Sequence, residues 1–299
     1  MNTKIPNNPR ISIGMPLYNR EKYVGAAIEA HLAQTYGDFE LIITDNASTD
    51  RGAEICRDYA SRDPRIKYYA NPRNLGATGN FRRCFELATG EYFRWHPSDD
   101  LVSPNLLARA VDLLDRDPSI MTAYGRTKLI DAQGGFVADF DENLHLMDDR
   151  PSARWQDVQR NIRLGNLHYG LTRTALLRKT GLLRNYNGGD IPLIAEMSLY
   201  GKFYEIPDAF FYRRIHEQAA SSSSKDEKAW AAFFDPSKPK EFFPRTWVHF
   251  GANWWSVARS PIDFSAKVRL NIYMARQVLW ERRALTTEVA GMVRHSIKA

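Results

Sequence analysis

Two carboxylates stand side by side in GEYFRWHPSDDLVSP, residues 90–104. Asp99 and Asp100 follow a short apolar run, residues 92–95, that reads as a buried strand. Adjacent like charges at such a strand end are unfavourable unless a cation or a helix N-terminus answers them. The pair therefore either caps the next helix, expected over residues 105–117, or holds a metal ion. Polar residues close three other apolar runs in the same way. Tyr18 and Asn19 follow residues 10–17, Asp45 and Asn46 end residues 39–46, and Asn71 follows IKYYA.

Positioning these residues on one edge needs a scaffold, and the periodicity supplies one. RISIGMPL, FELIITDN, IKYYAN and EYFRW read as strands. Between them lie segments with apolar residues at helical spacing, such as Val24, Ala27, Ile28 and Leu32. Ser48 and Thr49 stand where a cap of the second helix is expected, and Gly90 where the third should close. Strand and helix alternate at spacings too long for hairpins, which predicts an α/β fold with a mostly parallel sheet flanked by helices. Ligands in such sheets bind beyond the carboxyl ends of the strands, so the first hundred residues read as a nucleotide-binding half. Further on, residues 121–131 read as a strand, IPLIAEMSLYG, entered at Asp190, as a helix, and residues 202–224 as an extended and then polar stretch. Residues 136–163 loosen into a polar segment expected to form a lid. The serine run 221–224 reads as a linker, and helices follow it.

The composition, 43% hydrophobic and 25% charged over 299 residues, is that of a globular protein. No apolar run reaches the roughly 18 residues of a membrane span, and MNTKIPNNPR has no apolar signal core. With only Cys56 and Cys84, a disulfide framework or cysteine zinc site is not expected. A reduced, cytoplasmic protein is expected. Residues 225–299 carry 13 Lys+Arg against 7 Asp+Glu and so hold the whole net charge of +6. That placement does not match nucleic-acid binding, whose basic residues should surround the main surface. In the same segment Trp247, Trp254, Trp255 and Trp280 are interleaved with Arg245, Arg259, Lys267, Arg269, Arg282 and Arg283. Several readings stay open: peripheral contact with the inner face of the plasma membrane, an acidic partner, packing of the aromatics onto the rest of the protein or a second subunit, or a solvated helical face.

The chain resembles the family 2 glycosyltransferases of GT-A fold. The resemblance is carried by ISIGMPLYNREKYVGAAIEAHLAQTYGDFELIITDNASTDRGAEI and NLGATGNFRRCFELATGEYFRWHPSDD. It continues in GLTRTALLRKTG, GGDIPLIAEMSLYGKFYEIP and YRRIHEQAAS, and covers roughly residues 10–222. It implies a glycosyltransferase domain over residues 1–222, with a nucleotide half at about 10–104 and an acceptor half at about 105–222, followed by a helical extension over 223–299. It also implies metal-dependent transfer of a sugar from a nucleoside diphosphate sugar, with uridine the expected base, to a glycan or lipid-linked acceptor hydroxyl, with inversion.

The roles of single residues follow from the same resemblance. Asp99 matches the metal-binding Asp of the family's DxD element, and Pro97 stands where the first acidic residue of that element often is. Asp99, Asp100 and His216 are then the candidates for Mn²⁺ or Mg²⁺. Pro16, Tyr18, Asp45, Gly76, Asn80, Ser98 and Asp99 are the candidates for the nucleotide, with Asp45 facing the base. Asp190 matches the catalytic base, and His168 is a further candidate on the acceptor side. Arg213 and Arg214 are candidates to pair with diphosphate. Local alternatives stand beside these roles: an Asx turn at Asp45 and a helix cap at Asp190. A sugar-nucleotide or glycan-binding module without catalysis is the alternative function, since fold alone does not prove activity.

Overall fold

The computed structural model describes residues 9–186, 188–217, 219, 233, 234, 236 and 244–298, with side chains up to residue 293. The serine run 221–224 and the boundary expected at 222/223 lie outside the described residues.

The first half alternates as expected: β1 (Ile11–Leu17), α1 (Val24–Leu32), β2 (Phe39–Asp45), α2 (Gly52–Arg62), β3 (Ile66–Ala70), α3 (Gly76–Glu86) and β4 (Tyr92–Trp95). Every residue of β1 and β2 is buried. Strands covered on both faces carry continuous apolar runs, which is why these two are so legible. They pair in parallel in the order β3-β2-β1-β4. Their carboxyl ends therefore share one edge. The expected Ser48–Thr49 cap is absent: α2 begins at Gly52, whose N–H is held by the Asp50 carboxylate at 2.9 Å. Gly90 does not close α3, which ends at Glu86. It sits instead where a side chain would collide with the β1 backbone.

The second half continues the same sheet. It comprises β5 (Leu101–Val102), α4 (Leu106–Arg116), β6 (Ile120–Ile130), β7 (Phe136–Phe140), α5 (Pro151–Asn161), β8 (Leu171–Arg173), α6 (Thr174–Leu177), α7 (Asp190–Tyr200) and β9 (Lys202–Arg214). The order runs on from β4 through β8, β6 and β9 to β5, with β7 on β6. β8 is antiparallel to both neighbours, so the mixed half begins there. Residues 136–163 are not a loose lid. They form the β7 hairpin and then α5, which starts with Pro151 and buries Trp155 and Val158 completely. Two large core residues on an otherwise polar helix leave a weak periodic signal, so the segment reads as a loop from its sequence.

Three helices follow: α8 (Arg245–Arg259), α9 (Phe264–Trp280) and α10 (Arg282–Lys298). They do not stand apart. Val257, Leu270 and Met274 are fully buried in one apolar cluster with Trp155, Leu193 and Met197. Arg259 leaves the basic surface to pair with the buried Glu196 of α7. Glu288 of α10 accepts the N–H groups of Thr246 and Trp247, which fixes the start of α8. The inner face of the tail thus packs through aliphatic residues, whereas none of Trp247, Trp254, Trp255 and Trp280 is buried. Its outer face leaves Trp254, Trp255, Phe264 and Trp280 exposed.

One buried charge lacks an answer. Arg94 of β4 is 1% exposed, and its Nε and Nη1 have no partner among the described residues. Its Nη2 lies 3.4 Å from His96 Nδ1, and burial pushes its pKa down to about 9. An isolated buried cation is costly, and apolar replacement of buried ionic groups often stabilises by about 1–4 kcal/mol. Arg94→Met is therefore expected to raise the Tm in thermal unfolding. A lower Tm would show that the charge has a compensating partner.

Candidate active site

The β4 ladder runs one residue beyond the strand, with His96 N–H donating to the Gly14 carbonyl at 2.9 Å. His96 Nε2 lies 3.0 Å from the Asp100 carbonyl, which closes residues 96–100 into a tight loop. β5 then pairs with β9, Leu101 opposite Tyr212. This pairing carries residues 213–216 to the two aspartates. Arg214 N–H donates to Asp100 Oδ1 at 2.7 Å. The Arg214 guanidinium is spent on the carbonyls of Asp99, Asp131 and Ala132, so it acts as a fastener of the loop. Asp99 Oδ2 lies 2.9 Å from Arg20 Nε and 3.0 Å from His216 Nε2.

The two carboxylates are shifted in opposite directions. Burial raises both, but for Asp99 the His216 hydrogen bond and the Arg20 charge outweigh it and hold the group below the usual carboxylate range. For Asp100, burial and the neighbouring Asp99 push the pKa well above its ordinary value. Shifts in opposite directions are the usual response of neighbouring carboxylates to their mutual repulsion. The cap alternative fails, because α4 starts after Asn105 with no side-chain cap.

The donor set at Asp99 and His216 fits a divalent cation. A carboxylate oxygen and an imidazole nitrogen suit Mn²⁺, and Mg²⁺ commonly takes few protein ligands, completing its shell with water and substrate phosphate. Among the described residues, no group of three or more His, Cys, Asp or Glu is arranged around one metal position. Asp100, expected as a third ligand, has Oδ1 taken by Arg214 N–H.

A cavity of about 420 Å³ opens above the loop. Of the expected nucleotide residues, Pro16, Tyr18, Asn80, Ser98 and Asp99 line it, together with Asp100. Asp45 and Gly76 do not line it. Asp45 is buried below, with Oδ1 accepting from Ser48 N–H at 3.0 Å and Oδ2 from Tyr68 at 2.7 Å. The local turn that stood as its alternative is therefore present. Gly76 has φ +75°, and an added Cβ would stand 1.9 Å from the Phe234 carbonyl oxygen. Only glycine allows that conformation and that approach together.

Asn46, marked in the sequence only as a polar strand end, and Arg20, not marked at all, join the site. Asn46 lines the cavity and ties its wall, donating to Asn74 Oδ1 at 2.7 Å and accepting from Leu75 N–H at 2.8 Å. Arg20 meets Asp99 across 79 residues of chain. Its place just after the end of the first strand, on the edge where the parallel strands share their carboxyl ends, is the one available signal.

A second cavity, of about 650 Å³, shares Ala77, Phe81, Tyr169, Arg213 and Phe233 with the first. Asp190 lies on its wall as the first residue of α7. The residue before it, Gly189, occupies the cap position, and the α7 start has no side-chain cap bond. An added Cβ at Gly165 would stand 3.1 Å from Asp190 Oδ2, so glycine at 165 leaves the carboxylate room. His168 lines the same cavity, with Nδ1 2.5 Å from the Gly165 carbonyl. Burial lowers its pKa, favouring neutral imidazole. Arg213 donates to Asn166 Oδ1, and the Asn166 N–H donates to the buried Glu142 at 2.7 Å. This chain of bonds holds Arg213 on the wall between the cavities.

The chain matches the model of Glycosyl transferase family 2 over residues 12–183, more than half its length. An uncharacterized glycosyltransferase of Haemophilus influenzae is 34% identical over 131 residues, 44% of this chain and 52% of that protein. The chondroitin synthase of Escherichia coli is 29% identical over 131 residues, 44% of this chain and 19% of that protein. The chain thus spans about half or less of the length of these relatives. TarS 1-349 of S. aureus, solved in complex with UDP-GlcNAc, is similar with a TM-score of 0.64 at 16% identity, over 93% of this chain and 79% of that one. The mannosyltransferase PcManGT from Pyrobaculum calidifontis, solved with GDP-Man and Mn2+, is similar with a TM-score of 0.53 at 17% identity, over 97% and 87%. At these identities the likeness concerns the fold, which is that of GT-A glycosyltransferases. The family match adds what fold alone leaves open, and the chain belongs to glycosyl transferase family 2.

Proposed function

We propose that this protein transfers a sugar from a nucleoside diphosphate sugar, with uridine as the base, to an acceptor hydroxyl with inversion, in the synthesis of a surface polysaccharide or glycolipid. The observation that carries this reading is the pair of cavities with a common wall, Asp99 on one side and Asp190 on the other. Solved structures of similar fold hold UDP-GlcNAc in one case and GDP-Man with Mn2+ in another, which supports a nucleotide sugar here.

In this reading residues of about 10–104 bind the donor, those of about 105–222 bind the acceptor, and the helices beyond 223 close the acceptor side. Pro16, Tyr18, Asn80 and Ser98 receive the nucleoside. Asp45 and Gly76 act from beneath by holding the loops that wall the cavity. Asp99 and His216 are the residues that would hold Mn²⁺ or Mg²⁺, and such an ion neutralises the charge that develops on a departing diphosphate. Asp190 takes the proton of the acceptor hydroxyl as it attacks. Among the described residues no helix is long and apolar enough to cross a membrane. The exposed tryptophans of α8 and α9, in a segment that also carries Lys267 and Arg269, suit peripheral contact with an anionic leaflet on the cytoplasmic side.

The test is thermal unfolding with UDP, GDP and dTDP, each with and without Mn²⁺. A ligand at about 100 times its Kd stabilises the native state by about 2.7 kcal/mol. UDP with Mn²⁺ is expected to raise the Tm, and UDP alone to do so much less. If none of the three shifts the Tm, the donor assignment fails. Binding without turnover on any acceptor would favour the glycan-binding module.

A further inference from the structure

Among the described residues that line it, the larger cavity carries more positive than negative side chains. Arg163, Arg184, Arg213 and Arg245 line it, against the carboxylates Asp190 and Glu281. Arg213 is held by Asn166 and also faces the smaller cavity, so it belongs to the donor side as well. The other three have no ion pair or side-chain hydrogen bond among the described residues, although three guanidiniums near one space repel each other. Arg184 stands in the turn before α7 and Arg245 at the start of α8, so they approach from different elements. His249 of the same cavity shows their combined field. Burial pushes its pKa down to about 4, with Arg245 and Arg184 adding to the fall and Asp190 opposing it.

Guanidiniums arriving from different directions suit a tetrahedral phosphate, whose oxygens point several ways, whereas a planar carboxylate is satisfied by one fork. Aromatic walls from Phe81, Phe250 and Trp280 offer faces for sugar rings. We propose that the acceptor is a phosphate-bearing glycan whose phosphate is seated by Arg184 and Arg245 while its hydroxyl faces Asp190. This rests on the glycosyltransferase reading above and names the substrate class of its acceptor side.

The phosphate has two sources, a lipid carrier or a soluble phosphoglycan. Trp280, on the cavity rim, is 72% exposed. It ends α9, whose outer face shows Phe264, Val268, Ile272 and Leu279 to solvent. An apolar stripe beside the mouth is placed to meet a membrane that presents a lipid carrier.

The experiment titrates glucose 1-phosphate, methyl glucoside and glucuronic acid into the full chain saturated with UDP and Mn²⁺. Glucose 1-phosphate is expected to bind beside the nucleotide, at least tenfold tighter than either of the others. Arg184→Gln with Arg245→Gln should remove that advantage and leave UDP affinity unchanged, which also shows that the variant is folded. Equal binding of the three probes, tighter binding of glucuronic acid, or an unaltered double variant would overturn the proposal. Displacement of UDP by glucose 1-phosphate would overturn it as well. If UDP itself fails to bind the wild type, the glycosyltransferase reading fails first, and the two failures are thereby told apart. Flotation with phosphatidylcholine vesicles separates the sources. Binding only when they contain polyprenyl phosphate supports the lipid carrier, and no flotation assigns the phosphate to a soluble glycan.

Discussion

Asp190→Asn is expected to lower the rate of sugar transfer by about 10²–10⁴-fold, the usual contribution of a general base, while UDP affinity stays as in the wild type. The carboxylate lies on the wall of the larger cavity, free of any cap bond at the start of α7 and given space by Gly165. The amide has the same shape, so the start of the helix and the buried face of α7 should remain in place. Steady-state rates across pH, with stability measured in parallel, check this. A loss in kcat without a change in Tm or in UDP affinity is the signature of a lost base. Near-normal turnover would remove Asp190 from the chemistry. A parallel fall in Tm would reassign it to holding the turn at residues 188–190.

Asp99→Ala should abolish the Mn²⁺-dependent part of UDP stabilisation and cut transfer by about a thousandfold or more. Charge stabilisation by a bound cation is worth several kcal/mol in the transition state, and each 1.36 kcal/mol is tenfold in rate. The same substitution leaves Arg20 and His216 without the carboxylate that pairs with both. It also removes the charge that helps push the Asp100 pKa up, so Asp100 should ionise more readily in the variant. The pH sense follows from the depressed pKa of Asp99 in the folded state. Its pairing adds stability above the unfolded carboxylate pKa of about 3.9, and that stability is lost as pH falls through the lower folded value. Thermal unfolding with UDP, with and without Mn²⁺, reads the first effect, and its acid limb reads the second. Retention of the Mn²⁺-dependent shift in Asp99→Ala would place the cation elsewhere.

These outcomes bear on residues with unequal visibility in the sequence. β1, β2 and β4 are buried throughout, so their apolar runs are enough to announce a parallel α/β sheet. α1, α4 and α7 bury enough apolar residues to be read by periodicity or by their apolar content. Polar residues at the strand ends mark the edge, and family resemblance picks out Asp99, Asp190 and His216. α5 stays hidden because two residues, Trp155 and Val158, supply its fully buried apolar side chains.

The amino-acid order alone therefore determined the fold class, the edge of the sheet that matters and the family. Tertiary structure decided which edge residues face the cavity and which support it. Asp45 and Asn46 are neighbours in sequence and both buried, yet Asn46 lines the cavity and Asp45 spends both oxygens on Ser48 and Tyr68 beneath it. The β5–β9 pairing brings His216 to Asp99 over 117 residues, where its hydrogen bond helps lower the Asp99 pKa, while burial and the neighbouring Asp99 raise that of Asp100. The physical reason is the range of the terms involved. Burial and helical or strand period act between residues close in the chain and leave a local record. Charge and hydrogen bonding at a site depend on groups distant in sequence, whose meeting is set only when the sheet is complete.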